Sequence, residues 1–450
     1  MPSLLSELNW LDEAIREEME RWQVPGISVG ILKDGEVEIA GYGTVNIETG
    51  APVLPETLFQ VGSISKTFTA TLVLQLVDEG LLDLDVPVIK YAPDLPLADK
   101  TARETVTLRH LLTHTSGFYG DRFDAHGEGD DALALAVAAF STLPQQTAPG
   151  ELWTYCNAGF DLAARAIELT LGQSFESAMR QRIFDPLGFD RATYFASEAI
   201  LHSVSVGHVP GDDGTGTFVG SPWPIPRRSN GAGGISANPA ILLRWAQLQI
   251  NNGTLDGVQI LKPETAKAMH AHQAEGAAGA SQALSWFRRE IDGVLTISHD
   301  GGTNGQQTKL VVVPSKQFAI TILTNSSRGS SAHSAIGAAA LKRLLGLKET
   351  PAPVIEVSEA ELQPLAGVYK QNLADLELKV AGNGFAVSVV NINAFSEKRT
   401  PGDPFRLKPL SPSLFVAEGG GTDGSKADFI FNPDGSVRFL RFRSRLAFRQ

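Results

Sequence analysis

Cysteine is almost absent from this 450-residue sequence, since Cys156 is the only one. A single cysteine cannot form an intramolecular disulfide or a thiolate metal cluster. Basic residues are also in deficit, with 38 Lys and Arg against 50 Asp and Glu and a formal net charge of −12. This balance argues against nucleic acid or an anionic membrane as a partner, because both attract basic surfaces. It fits a soluble protein that acts on small molecules.

The sequence also lacks any apolar run of about 18 residues, the length needed to span a bilayer. Its N-terminus has no basic start followed by an apolar stretch, so it does not read as a secretory signal. The same segment predicts an amphipathic helix instead, with Leu11, Ile15 and Met19 at helical spacing. We therefore expect a cytoplasmic protein, or a secreted one if a leader has been removed.

Hydrophobic residues make up 43% of the chain, enough for a large core, and the length allows two or three domains. Near the N-terminus "GISVGIL" and "EVEIAGYG" predict a β-hairpin, and strands return late in "VLTISHD", "TKLVVVP" and "FAITILTN". A helical middle separates them, and "SAHSAIGAAALKRLLG" predicts a final helix. This order predicts an α/β (α+β) domain over residues 1–346, with one sheet assembled from both ends.

The remainder of the chain has a different pattern. Residues 347–360 contain apolar–proline steps typical of a linker. Residues 361–450 contain short strand-like segments separated by Gly, Asp, Asn and Pro. A strand every eight to twelve residues is typical of an antiparallel barrel or sandwich, so we predict a second, all-β domain.

A serine and a lysine stand one helical turn apart in "VGSISKTFTA", where Ser63 and Lys66 form an S-x-x-K pattern. A lysine packed among apolar neighbours loses solvation, which makes its neutral form accessible near pH 7. A neutral amine beside a serine is a general base for a nucleophile. Taken alone, the pattern occurs by chance in many chains and more often marks a surface lysine with a buried stem.

Two further segments have residues suited to the same chemistry. "WTYCNAGF" places Tyr155 and Asn157 on alternate positions, and a phenol with a carboxamide can relay a proton and hold a substrate. "SHDGGTNG" places His299 at the end of a predicted strand, followed by Gly301 and Gly302. Paired glycines at a strand edge allow backbone N–H groups to approach a substrate oxygen closely.

The order and spacing of S-x-x-K, Y-x-N and H-x-G resemble those of the penicillin-recognising serine hydrolases. The similarity covers about residues 8–345 and includes "VPGISVGIL", "TLRHLLTHTSGF" and "GAGGISANPAILLRWAQL". The chain is most similar to the branch of class C β-lactamases, D-aminopeptidases and penicillin-binding-protein-like esterases, also called CubicO-like. The resemblance implies a β-lactamase/transpeptidase-like domain, with an antiparallel sheet flanked by helices and a helical subdomain. The C-terminal strands resemble the lipocalin-like barrel appended to some members.

The resemblance also implies a covalent acyl-enzyme on Ser63, with Lys66 and Tyr155 accepting and relaying its proton. Backbone N–H groups of Ser63 and Gly302 would hold the oxyanion. His299 would support proton relay or the substrate end of the site.

Asn157 would hydrogen-bond the substrate amide, and Gly301 would line the substrate site. No metal and no organic cofactor is implied. The expected partner is a small ester, amide or peptide substrate, and the barrel could cap the site or mediate homo-oligomerisation.

One position departs from the family pattern. β-lactamases and D,D-carboxypeptidases of this superfamily usually have lysine where this chain has His299, and threonine where it has Asp300. A histidine is mostly neutral at pH 7, and the aspartate would add negative charge nearby. The change favours an esterase, amidase or D-aminopeptidase over a β-lactamase or D,D-carboxypeptidase. The same motifs also fit an acyltransferase on this fold and a non-catalytic penicillin-binding-type sensor.

Five further residues have ordinary structural interpretations. His110 and His114 have a spacing that can bind metal, but the resemblance predicts a structural helix end. Arg227 and Arg228 are expected to be solvated, unless they grip a substrate carboxylate. Cys156 is expected to be a small buried packing residue.

Overall fold

The computed structural model describes residues 4–211, 214–220, 223–393 and 398–450. The helices are α1 Leu4–Trp22, α2 Ser65–Asp78, α3 Lys100–Thr105, α4 Leu108–Leu112, α5 Ala132–Ala138, α6 Asn157–Leu171, α7 Phe175–Met179, α8 Asp185–Leu187, α9 Ala196–Ala199, α10 Asn230–Gly233, α11 Pro239–Ile250, α12 Pro263–His270, α13 Gly329–Leu345 and α14 Glu359–Leu362.

The strands before residue 346 are β1 Gly26–Lys33, β2 Glu36–Gly43, β3 Phe59–Gln60, β4 His208–Val209, β5 Phe218–Val219, β6 Ser236–Ala237, β7 Thr254–Leu255, β8 Val258–Gln259, β9 Ala274–Glu275, β10 Ser281–Gln282, β11 Phe287–Ile291, β12 Val294–Thr303, β13 Gln306–Val313 and β14 Phe318–Thr324. Those after it are β15 Gly367–Lys370, β16 Ala374–Val380, β17 Phe385–Ile392, β18 Arg399–Pro401, β19 Phe405–Pro409, β20 Leu414–Glu418, β21 Lys426–Phe431, β22 Val437–Phe442 and β23 Arg445–Arg449.

The first sheet has eight antiparallel strands in the order β2-β1-β14-β13-β12-β11-β10-β9. The N-terminal hairpin therefore lies beside the late strands, which confirms the prediction of one sheet built from both ends. β14 is buried along its whole length because both faces of the sheet are covered. Helices α1 and α13 pack on one face, and α11 packs on the other with the helical middle beyond it. Leu11 and Ile15 of α1 are buried, as the helical spacing predicts.

The second sheet contains β15 to β23 and closes on itself through the additional pairing of β16 with β17. The result is an eight-stranded antiparallel barrel with β18 attached outside it. Alternate residues of β16 and β17 are buried and fill the interior together with aromatic side chains such as Phe415 and Phe429. The prediction of an all-β C-terminal part is confirmed.

Two local turns complete the description of the fold. Ser63 lies in a 3₁₀ turn, Gly62–Ile64, and the α-helix begins only at Ser65. "VRFLRFRSRLAF" forms two strands, β22 and β23, joined by a tight turn at Arg443 and Ser444, whose φ angles are 48° and 66°. None of the described helices is both long and apolar enough to cross a membrane.

Candidate active site

The turn that contains Ser63 is held from two sides. β3 pairs with β6, and the N–H of Val61 donates to the carbonyl of Ile235 at 2.9 Å. The carbonyl of Val61 accepts from Thr308 Oγ1 on β13, also at 2.9 Å. Gly62 then adopts a φ of 54°, which a residue with a side chain adopts at a cost. Ser63 is thereby fixed at the start of α2, beside the edge of β12.

Lys66 is fully buried, and its Nζ contacts three oxygens. Two of them, Asn157 Oδ1 at 2.7 Å and the carbonyl of Ala232 at 2.5 Å, can only accept hydrogen bonds. The third is Ser63 Oγ, at 3.0 Å. A neutral amine has two protons and one lone pair. Because the two acceptors take both protons, the lone pair is left to accept the proton of Ser63.

Burial also favours the neutral amine. It lowers the pKa of Lys66 to about 7, while the carboxylate of Asp161 acts in the opposite direction. At neutral pH a large share of the molecules therefore has an unprotonated base beside Ser63. The amine also lies 5.0 Å from the ring centre of Tyr155 and 5.4 Å from that of Phe160.

Tyr155 is buried next to Ser63, and a hydrogen bond joins the two hydroxyl groups. Burial raises the pKa of Tyr155 far above 10, so the side chain is a neutral phenol at physiological pH. The ring of His114 packs on the phenol ring with centroids 4.2 Å apart. His114 Nδ1 accepts from the N–H of Cys156 at 3.1 Å. His114 is thus a residue of the site that sequence reasoning placed in a structural helix end.

His299 lies on β12 with its side chain fully buried, and its ring centre is 6.3 Å from that of Tyr155. Burial and the nearby amine of Lys66 lower the pKa of His299 to about 4, so the imidazole is neutral at pH 7. Nδ1 lies 2.7 Å from the carbonyl of Asp300, to which it donates. Nε2 is then the unprotonated nitrogen, and it has no hydrogen-bond partner among the described residues.

The side chain of Asp300 points away from Ser63, although its negative charge still acts on His299 and Tyr155. Successive side chains of a strand point to opposite faces, and Asp300 follows His299 on β12. Its carboxylate binds Lys309, its cross-strand partner, at 2.8 and 3.0 Å. The stem of Lys309 packs towards Gly337 of α13, on the far side of the sheet from Ser63.

The two glycines after Asp300 let the nucleophile turn approach β12. A Cβ at Gly301 would lie 1.9 Å from the carbonyl oxygen of Val61 and 2.3 Å from Thr308 Oγ1. A Cβ at Gly62 would lie 2.5 Å from the backbone nitrogen of Gly302. The N–H of Gly302 is therefore close to the turn of Ser63, as an oxyanion hole built from these two residues requires.

Asp121 and Arg445 complete the arrangement, and neither was predicted from the sequence. Asn157 Nδ2 donates to Asp121 Oδ1 at 2.6 Å, which fixes the amide so that its oxygen faces Lys66. Arg445 binds both carboxylate oxygens of Asp121, at 2.8 and 3.1 Å. Arg445 belongs to β23 of the barrel, so the barrel takes part in the site.

The prediction that Arg227 and Arg228 are solvated is wrong. Arg228 is 1% exposed and donates to Asp161 at 2.6 Å. Arg227 donates to Glu176 at 3.3 Å. Both guanidinium groups are engaged with carboxylates, which leaves neither open to a substrate.

The interpretations of Cys156 and His110 as structural residues agree with the geometry. Cys156 is fully buried, and its sulfur accepts from the N–H of Gly159 at 3.3 Å, at the start of α6. Burial raises the pKa of Cys156 to about 12, so the side chain stays a neutral thiol and does not form the reactive thiolate near pH 7. His110 accepts from the N–H of Thr107 at 3.2 Å and caps α4.

The antiparallel sheet, the helical middle and a serine turn with a buried lysine define a protein of the β-lactamase/transpeptidase fold class. Residues 11–344 match the protein family described as Beta-lactamase, and the chain belongs to this family. Penicillin-binding protein 4 from Amycolatopsis lactamdurans is 33% identical over 358 residues, which are 77% of this chain and 93% of that protein.

Two solved structures are similar over nearly the whole chain, including the barrel. The crystal structure of SurE has a TM-score of 0.76 and 24% identity, and the match covers 100% of both chains. The octameric penicillin-binding protein homologue from Pyrococcus abyssi has a TM-score of 0.67 and 26% identity, with 98% of this chain and 100% of that chain covered.

Proposed function

We propose that this protein is a serine hydrolase that forms an acyl-enzyme on Ser63 and hydrolyses ester or amide bonds of small substrates. The observation that carries the proposal is the environment of Lys66. Its two acceptor-only partners direct the lone pair at Ser63, and burial keeps the amine neutral near pH 7. A chance S-x-x-K pattern would not place a fully buried amine 3.0 Å from the hydroxyl.

In the first step Ser63 Oγ attacks the carbonyl carbon while its proton passes to Lys66. The carbonyl oxygen becomes an oxyanion facing the N–H groups of Ser63 and Gly302. The bond to the leaving group breaks, and the leaving group takes the proton from Lys66 through Tyr155. Water then attacks the acyl carbon and gives one proton to Lys66. The bond from the acyl carbon to Ser63 Oγ breaks, Lys66 returns the proton to Ser63 Oγ, and the acid leaves.

The substrate class we propose is a neutral ester, or an amide or peptide with a free amino group such as a D-amino-acid derivative. A neutral His299 offers no cation to a substrate carboxylate, and the charge of Asp300 is bound to Lys309 on the other side of the sheet. This favours an esterase, amidase or D-aminopeptidase over a β-lactamase or D,D-carboxypeptidase.

A panel of p-nitrophenyl esters, D- and L-aminoacyl p-nitroanilides and nitrocefin tests the proposal. Burst kinetics would separate rapid hydrolysis from a sensor that acylates and stalls. Added alcohols or amines that increase turnover would identify an acyltransferase instead. The homo-oligomer expected from the sequence is tested by sedimentation velocity, and the octameric homologue supports looking for it.

Labelling by a small fluorophosphonate tests the nucleophile without knowledge of the substrate. Ser63 Oγ replaces fluoride at phosphorus, and Lys66 takes the serine proton. We expect one adduct, on the peptide containing Ser63, and none in Ser63→Ala. Labelling should slow about tenfold for each pH unit below neutrality as Lys66 becomes protonated. A flat profile from pH 5 to 9, or equal labelling of Ser63→Ala, would exclude the mechanism.

A further inference from the structure

The turn between β22 and β23 of the barrel packs against the segment that leads to Tyr155. The N–H of Tyr155 donates to the carbonyl of Ser444 at 2.9 Å. Arg441 Nη1 donates to the carbonyl of Trp153 at 2.9 Å. Both hydrogen bonds involve backbone atoms of the segment before Tyr155, so they hold the barrel against the site. The two residues of the barrel turn, Arg443 and Ser444, have left-handed backbone angles. Such a conformation is strained for a residue with a side chain and persists only where the surroundings hold it.

The next residue, Arg445, forms a two-pronged ion pair with Asp121. The side chain of Asp121 is 2% exposed and that of Arg445 is 16% exposed. The guanidinium also lies 4.5 Å from the ring centre of Tyr155. Removing one partner of a buried ion pair is strongly destabilising, so Asp121 depends on Arg445 to keep this position.

Asp121 is also the acceptor that orients Asn157. Its Oδ1 takes the amide proton of Asn157, and the amide oxygen then accepts from Lys66. If Asp121 moved away, the amide of Asn157 could rotate and present its NH₂ group to the amine of Lys66. Two donors would then face each other, and Lys66 would lose one of the two acceptors that direct its lone pair at Ser63.

We infer that Arg445 of the barrel is a positioning residue of the hydrolase site, which acts through Asp121 and Asn157 to hold Lys66 in its base geometry. The inference rests on the proposed serine-hydrolase function. It assigns the barrel a part in the chemistry, because the site lacks a clamp for Asp121 without it.

Arg445→Met in the full chain tests this inference, with fluorophosphonate labelling of Ser63 measured from pH 5 to 10. Besides Arg445, the titratable groups that face Lys66 are Asp121, Tyr155, Cys156, Asp161, His114 and His299. Loss of a cation beside an uncompensated Asp121 raises the pKa of Lys66, so the midpoint should move to higher pH. We expect labelling at pH 7 to fall at least about fivefold, the effect of a rise of one unit from a pKa of about 7.

Arg443→Met is the matched control. Arg443 is an exposed arginine of the same turn, and it hydrogen-bonds Asn391 of the barrel at 3.1 Å. This variant has the same change in charge and should label within about twofold of the wild type at every pH. Arg445→Lys should recover part of the loss, because an ammonium keeps the charge but not the two-pronged geometry.

The probe is small and has no carboxylate, so a residue that only contacts substrate would not affect its labelling. Equal pH profiles for Arg445→Met and the wild type would overturn the inference. Absence of labelling in the wild type would instead refute the proposed function. If Arg445→Met does not fold, Asp121→Ala decides, because it removes the oxygen that accepts from Asn157. It should lower the plateau rate and move the midpoint to lower pH, and an unchanged plateau overturns the inference.

Discussion

Burial of Lys66 should make the stability of this protein depend on pH in a way that one substitution removes. The amine has a pKa of 10.5 in an unfolded chain and about 7 in the folded one. Between these values the unfolded state binds one more proton than the folded state, so the free energy of unfolding rises with pH. Burial of the charged amine lowers the free energy of unfolding by its full amount below pH 7, and this loss vanishes above pH 10.5.

The difference of 3.5 pKa units, from 10.5 to 7, corresponds to about 5 kcal/mol, since one unit is worth about 1.4 kcal/mol. Between pH 7.5 and 9.5 the free energy of unfolding of the wild type should therefore rise by about 2 to 3 kcal/mol from this group. Lys66→Met has no such group. The variant also loses the hydrogen bonds to Asn157 and Ala232, which changes its free energy of unfolding by an amount that does not depend on pH.

The assay is equilibrium urea unfolding of the wild type and Lys66→Met at pH 7.5, 8.5 and 9.5, plotted as the difference between the two proteins. Cys156 also titrates above pH 8 in the unfolded chain, but it does so in both proteins and cancels in the difference. The low pKa of His299 places its effect below this window. A difference that stays constant across the three pH values would refute the assignment of a neutral, buried Lys66.

Three other substitutions test neighbouring parts of the site. Gly301→Ala should displace the Ser63 turn and reduce labelling sharply, because its Cβ would lie 1.9 Å from the backbone carbonyl oxygen of Val61. A Cβ at Gly302 would meet only the end of the Gln307 side chain, at 3.1 Å. Gly302→Ala should accordingly keep the melting temperature of the wild type, whereas Gly301→Ala should melt at a lower temperature. Equal melting temperatures for the two variants would contradict this reasoning. Asp161→Asn removes a charge that raises the pKa of Lys66, so the labelling midpoint should move to lower pH. A midpoint that stays or rises would contradict it.

The main sheet and the serine–lysine pair could be predicted because both are encoded locally. Strand and helix periodicity is visible within segments of eight to seventeen residues such as β12 and α13. Ser63 and Lys66 are three positions apart, so any helical turn brings them together. His299 could be placed at the site only through its family resemblance, because nothing local relates it to Ser63.

Asp121 and Arg445 could not be predicted because their contact joins positions 324 residues apart in two separate parts of the fold. The turn that delivers Arg445 also lacks a sequence signal. Tight hairpin turns with two left-handed residues usually contain Asn-Gly or Asp-Gly, whereas this one contains Arg443 and Ser444. The direction in which the Asp300 side chain points could have been predicted, because successive side chains of a strand lie on opposite faces of the sheet and Asp300 follows His299.

The discrimination against carboxylate substrates is the remaining prediction, and its physical basis lies in the cations near the site. Lys66 must be neutral to act as a base, and Arg445 is already bound to Asp121 through both prongs. His299 is neutral at pH 7. A substrate carboxylate would therefore lose hydration without gaining a charged partner from these three residues.

An uncharged short-chain p-nitrophenyl ester or a D-aminoacyl amide should accordingly exceed benzylpenicillin in kcat/KM by at least about two orders of magnitude, or roughly 2.7 kcal/mol. Asp300→Asn should leave this ratio unchanged, because the carboxylate is bound to Lys309 away from Ser63. His299→Lys should narrow the ratio only modestly, since a lysine in this fully buried position beside Lys66 would itself be largely neutral. Penicillin turnover as fast as ester turnover in the wild type would show that a cation other than these three reaches the substrate. A ratio that changes in Asp300→Asn would show that its charge reaches the substrate.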